Sequence, residues 1–124
     1  MIQHIVLLKW RSGVTEEQIL EAVGHAEHLP QEIDGVESLS IGRNRVAHSH
    51  GFTHALIVGL ADQAALERYL EDSRRKAYIA DHLAPLEEER IEIDVPVDFA
   101  FRREPSRDWE WGASIGMGLP PDDL

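Results

Sequence analysis

The first ten residues constrain this chain more than any others. Ile2, His4, Val6, Leu8 and Trp10 fall on one face of an extended strand, with Ile5 and Leu7 on the other. Apolar residues on both faces place such a strand at the centre of a sheet, covered on two sides. One residue breaks the pattern. His4 is an imidazole among aliphatic neighbours, and Gly51-Phe52-Thr53-His54-Ala55-Leu56-Ile57-Val58 repeats the arrangement at His54. A buried imidazole must find hydrogen-bond partners, and it changes charge near neutral pH. The two histidines therefore mark an interior with chemistry in it.

The remaining segments follow in a readable order. Ser12-Gly13 breaks the first strand, and Thr15-Glu16-Glu17-Gln18 is a capping box that starts a helix carrying Ile19, Val23 and Ala26 on one stripe, ended by Pro30. Asp34-Gly35 signals a turn into an alternating strand, Val36 to Gly42. A polar loop, Arg43 to Gly51, leads to the strand Phe52 to Ala61. Asp62 caps a second helix through Leu66, Tyr69 and Leu70, and Ser73 caps a further piece through Ala77, Ala80 and Leu83 up to Pro85. Arg90 to Phe101 alternates again, and Pro96, which lacks an N–H, makes it an edge or bulged strand. The acidic run Glu87-Glu88-Glu89 reads as a solvated helix end or turn.

The order β-α-β-β-α-β, with right-handed crossovers, predicts an α+β, ferredoxin-like fold: a four-stranded antiparallel sheet with helices on one face. The other face then stays bare while carrying apolar groups from several strands, an area that soluble monomers rarely leave exposed. Packing two such sheets together resolves this, so a homodimer is expected. The domain spans residues 1–101. Residues 102–124 shift to Gly, Pro, Asp and Arg and read as a C-terminal tail, docked or disordered, in which Trp109 and Trp111 form the docking element if there is one.

Lys and Arg total 12 against 23 Asp and Glu, a formal charge of −11, which repels phosphate backbones and anionic lipid. Neither nucleic acid nor membrane is an expected partner. With no cysteine there is no disulfide and no thiolate chemistry. The run Ile5 to Leu8 is too short for a leader or a membrane span, so a cytoplasmic protein is expected. Glu21, His25 and His28 share a helical face and His48 and His50 share a loop, but zinc needs three or four converging ligands, so no metal is expected. No phosphate loop, Ser-His-Asp order or paired catalytic carboxylate emerges, and no cofactor is implied.

His4-Ile5-Val6-Leu7-Leu8-Lys9-Trp10, Gly35 to Asn44, Gly51 to Leu56, Ala65-Leu66-Glu67-Arg68-Tyr69-Leu70 and His82-Leu83-Ala84-Pro85-Leu86 together resemble the Dabb family, the stress-responsive dimeric α/β-barrel domain, over about four fifths of the chain. The resemblance implies a homodimer whose sheets close into a barrel. Plant polyketide cyclases of this fold are similar to the chain at His4, His54 and Tyr69. Their general base is the second histidine of a His-Pro-Ala-His stretch. Here that stretch is Asp72-Ser73-Arg74-Arg75, and an arginine stays protonated at neutral pH. Arg75 instead suits an anionic ligand group.

Three functions remain open. In the first, a small, largely apolar or aromatic ligand binds an internal pocket, oriented by His4, His54 and Tyr69 and contacted by Arg75, Trp10 and Leu56. The second is a cyclase, isomerase or lyase, without a redox cofactor, using His54 or His4 as acid–base and Tyr69 as proton donor on a polyketide-like or aromatic substrate. The third is a structural or interaction module. The two histidines lie toward opposite ends of the sheet and are not expected to bond each other.

Overall fold

The computed structural model describes residues 1–98, Phe101 and Arg103. Four strands, β1 (Ile2–Trp10), β2 (Val36–Arg43), β3 (Phe52–Leu60) and β4 (Glu87–Pro96), form one antiparallel sheet in the order β2-β3-β1-β4. This is the ferredoxin-like arrangement read from the sequence. The two apolar strands, β1 and β3, are central, and β4 with Pro96 is an edge.

The helical layer covers one face. It comprises α1 (Glu16–Gly24), α2 (Leu29–Glu32), α3 (Gln63–Glu71) and α4 (Ser73–Tyr78), which runs on into a wide turn, Ile79–Leu83, closed by Ala84 N–H to the carbonyl of Ile79. The core lies between the layers: Ile2, Val6 and Leu8 of β1 and Leu56, Val58 and Leu60 of β3 meet Ala22, Leu29, Leu66, Tyr69 and Tyr78. Tyr78 ties two helices together through its hydroxyl, which donates to the Ala22 carbonyl at 2.9 Å.

Several boundaries differ from the sequence reading. The first helix ends at Gly24, and Pro30 lies inside α2, where a first-turn proline has no hydrogen bond to lose. Asp72, not Ser73, caps α4, accepting from Arg74 N–H at 2.8 Å. Glu87-Glu88-Glu89 is neither helix end nor turn but the start of β4, because β1 runs on to Trp10 and its Lys9 and Trp10 need partners. Lys9 and Glu88 form an ion pair there at 3.4 Å. At its other end β4 stops at Pro96, short of Phe101. The Thr15–Gln18 capping box forms as expected. Gly35 turns the chain into β2 at φ 91°, under α3, where an added Cβ would lie 2.6 Å from the Cβ of Ala65.

The opposite sheet face carries no helix. Register places Ile5 and Leu7 of β1, Ala55 and Ile57 of β3, and Ile91, Ile93 and Val95 of β4 on it together. Ile91, Ile93, Val95 and Val97 are 37–46% exposed in the single chain. Among the described residues no helix is long and apolar enough to cross a membrane. The tail, with Trp109 and Trp111, lies outside the described residues.

Candidate functional site

His4 and His54 both face the helical layer, not the open sheet face. His4 pairs across the strands with Val58, and His54 with Leu8, so four residue positions, about 13 Å along the strands, separate them. Leu56 is buried between the two positions and packs in the core. The expected site residues therefore divide into two clusters, with Leu56 in neither.

The first cluster gathers His4, Tyr69 and Arg75. His4 is 1% exposed, and its Nδ1 lies 2.6 Å from Oδ1 of Asp94, its cross-strand partner on β4. An ionised carboxylate only accepts, so the Nδ1–H donates to it. The other nitrogen, Nε2, approaches Oε1 of Glu92 at 3.2 Å without hydrogen-bond alignment and remains unsatisfied. Tyr69 meets the imidazole edge to face at 5.8 Å. Arg75 lies over the Tyr69 ring, 5.3 Å from its centre, and donates through Nη2 to Glu92 at 3.0 Å. Arg90 holds the other oxygen of Glu92 at 3.1 Å. Burial raises the Tyr69 pKa, with Arg75 opposing, so the phenol keeps its proton at neutral pH. The Arg75 guanidinium is thus already engaged by a carboxylate of this chain.

The second cluster gathers His54 and Trp10. A β-bulge aims His54: Leu8 pairs with His54 and Lys9 with Phe52, leaving Thr53 as the extra residue. The Trp10 indole donates to His54 Nδ1 at 3.0 Å, and the Thr53 hydroxyl lies 3.0 Å from the same nitrogen. An indole N–H can only donate, so Nδ1 accepts and the neutral ring carries its proton on Nε2. Burial, then the charge of Arg43, lowers the His54 pKa, with Glu16 opposing. His54 is therefore neutral at pH 7, with one N–H to offer.

His54 lines a cleft of about 210 Å³ between α1 and the β2–β3 pair. Ile19, Leu20, Val23 and Ile41 form its apolar walls, with Glu16, Arg43 and His54 at one end. Arg43 is the cross-strand partner of His54 and pairs with Glu16 from the first turn of α1. A second hollow of about 460 Å³ opens on the helix-free side, over Leu7, Ser40, Ala55 and Ile57, and reaches the same strand ends at Arg43, Phe52 and His54 itself.

Sequence reasoning missed Arg43, Glu16, Glu92 and Asp94. The last two had a signal. Arg90, Glu92 and Asp94 alternate with the apolar face of β4, and an edge strand turns that polar face toward the rim of the helical layer, where His4 waits. Arg43 and Glu16 had none, being ordinary surface charges 27 residues apart. Among the described residues no three histidines or carboxylates converge to hold a metal ion. His25 is exposed and stacks on His82 at 3.9 Å.

Comparison with known proteins finds the same fold elsewhere. The family model described as Stress responsive A/B Barrel Domain, Dabb, matches residues 2–97. A Dabb family protein of ferredoxin-like fold from Mesorhizobium loti is 25% identical, at TM-score 0.67, over 77% of this chain and 95% of that one. A dimeric ferredoxin-like protein of unknown function from Thermobifida fusca is 22% identical, at TM-score 0.65, over 81% and 90%. The hydroxynitrile lyase of Passiflora edulis is 17% identical, at TM-score 0.71, over 82% and 96%. No curated protein matches the chain.

Proposed function

This chain belongs to the Dabb family, the stress responsive A/B barrel domain, and from that premise we propose a homodimer that binds a small, largely apolar or aromatic molecule in each subunit. The dimer reading is supported by the open apolar face of the sheet and by relatives described as dimeric. The observation that carries ligand binding is the state of His54. Its Nδ1 is held by Trp10 and Thr53, its Nε2–H has no partner among the described residues, and the ring lines the cleft under α1. Most buried side-chain nitrogens find a hydrogen-bond partner. A histidine that is pinned at one nitrogen and open at the other presents a fixed donor to whatever enters.

Replacing His54 with alanine tests the reading. Native mass spectrometry of the full chain is expected to find a co-purifying small molecule on the wild-type dimer and an empty, intact dimer for the variant. Loss of the dimer instead would assign His54 to structure.

A second reading rests on the His4 cluster. An Asp94–His4 pair at 2.6 Å beside a protonated Tyr69 phenol is an arrangement for moving protons, suited to a cyclase, isomerase or lyase acting on a polyketide-like or aromatic substrate. The Passiflora lyase shares the fold alone and carries no activity across. Here His4→Ala, and not His54→Ala, removes turnover while binding persists.

A further inference from the structure

We propose that the cleft under α1 takes a small carboxylic acid, and that Glu16 occupies the place of its carboxylate on Arg43. The inference rests on the His54 pocket reading and names its ligand class.

Two donors meet at one end of the cleft. Arg43 and His54 are direct cross-strand partners, and both line it. A guanidinium offers two parallel N–H groups matched to a planar carboxylate, and the His54 Nε2–H adds a third. The acceptor now on Arg43 is the Glu16 carboxylate. Both side chains of that pair are more than half exposed, at 54% and 57%. Such pairs are weak and open readily. The other arginines described above are spoken for: Arg75 and Arg90 bind Glu92, and Arg74 binds Asp72 through two N–H groups.

The walls set the rest of the molecule. Ile19, Val23 and Ile41 offer no polar side-chain atom. A cavity of about 150 Å³ holds benzene, so a cleft of about 210 Å³ accommodates a benzoic or short branched aliphatic acid. The charge balance also selects. Once Glu16 swings out to solvent, one guanidinium beside a neutral imidazole matches a monoanion, whereas a phosphate dianion keeps uncompensated charge on a chain already at −11.

The test uses the full chain with benzoate and 4-methylpentanoate, each beside its neutral alcohol, followed by NMR of the Ile19, Leu20, Val23 and Ile41 methyls and the His54 ring. Both acids are expected to shift these signals, with the alcohols at least about tenfold weaker. Glu16→Gln removes the internal competitor and tightens acid binding by about two- to fivefold. Arg43→Gln weakens the acids by about tenfold or more and leaves the alcohols unchanged. Alcohols that bind as well as the acids, with no response to Arg43→Gln, overturn the acid class and leave the pocket reading intact. If acids and alcohols alike leave the cleft methyls unmoved, both fall.

Discussion

Replacing Ile93 with aspartate puts a charge in the middle of the open sheet face. In the single chain Ile93 is 46% exposed and lies beside Ile5, with Ile91 and Val95 flanking it on β4. Burying a whole isoleucine side chain is worth about 1.5–3 kcal/mol, so covering the exposed half contributes about 1 kcal/mol. A two-fold interface meets each substitution twice, which makes the lost burial about 2 kcal/mol per dimer. The two new carboxylates must also be stripped of water in a mostly apolar interface, which costs roughly several kcal/mol per ion. Even a fraction of that penalty brings the total above about 4 kcal/mol, or about a thousandfold in dissociation constant. Sedimentation velocity at micromolar protein should give a dimer for the wild type and a monomer for Ile93→Asp. The near-UV circular dichroism of the variant should stay native, because Ile93 faces outward from its own subunit. A variant that sediments as the same dimer, or a wild type that is monomeric at that concentration, refutes the packing of sheet on sheet.

Folding stability should also depend on His54. Its folded-state pKa lies below 6.5, so the unfolded chain takes the proton first: its contribution is complete above pH 6.5 and is lost as pH falls until the folded ring protonates, with a slope of up to about 1.4 kcal/mol per pH unit. Urea unfolding of the wild type and His54→Gln between pH 7.5 and 5.5 should show the steeper loss in the wild type, and equal slopes would remove His54 as the cause. Gly35→Ala should destabilise the fold by at least about 2 kcal/mol, since a left-handed backbone and a contact with Ala65 are both penalised. An unchanged urea midpoint would show that α3 yields without cost.

The sequence made the fold legible because strand periodicity and helix caps are local. Apolar residues on both faces identified β1 as central, and Thr15 and Asp62 marked where helices begin. Local signals failed where a neighbour decided the outcome. Glu87-Glu88-Glu89 has the composition of a solvated end, yet it is strand because the far end of β1 requires a partner. Pro30 marks a stop in any helical pattern, and only the preceding break at Gly24 lets it serve as a start. The site was legible in part. His4, Tyr69 and Arg75 do gather, as do His54 and Trp10, but their two neighbourhoods are separate.

By itself, the order of apolar and polar residues determined the sheet, its central first strand and an apolar face left without helices. It also placed an imidazole on each central strand. Only the tertiary structure decided which protons those rings carry. Asp94 reaches His4 across 90 positions of sequence and Trp10 reaches His54 across 44, and no local pattern encodes either meeting. A tautomer is set by the hydrogen bond at the other nitrogen. For His54 that bond comes from Trp10, on a strand whose register past the Thr53 bulge exists only once the sheet has formed.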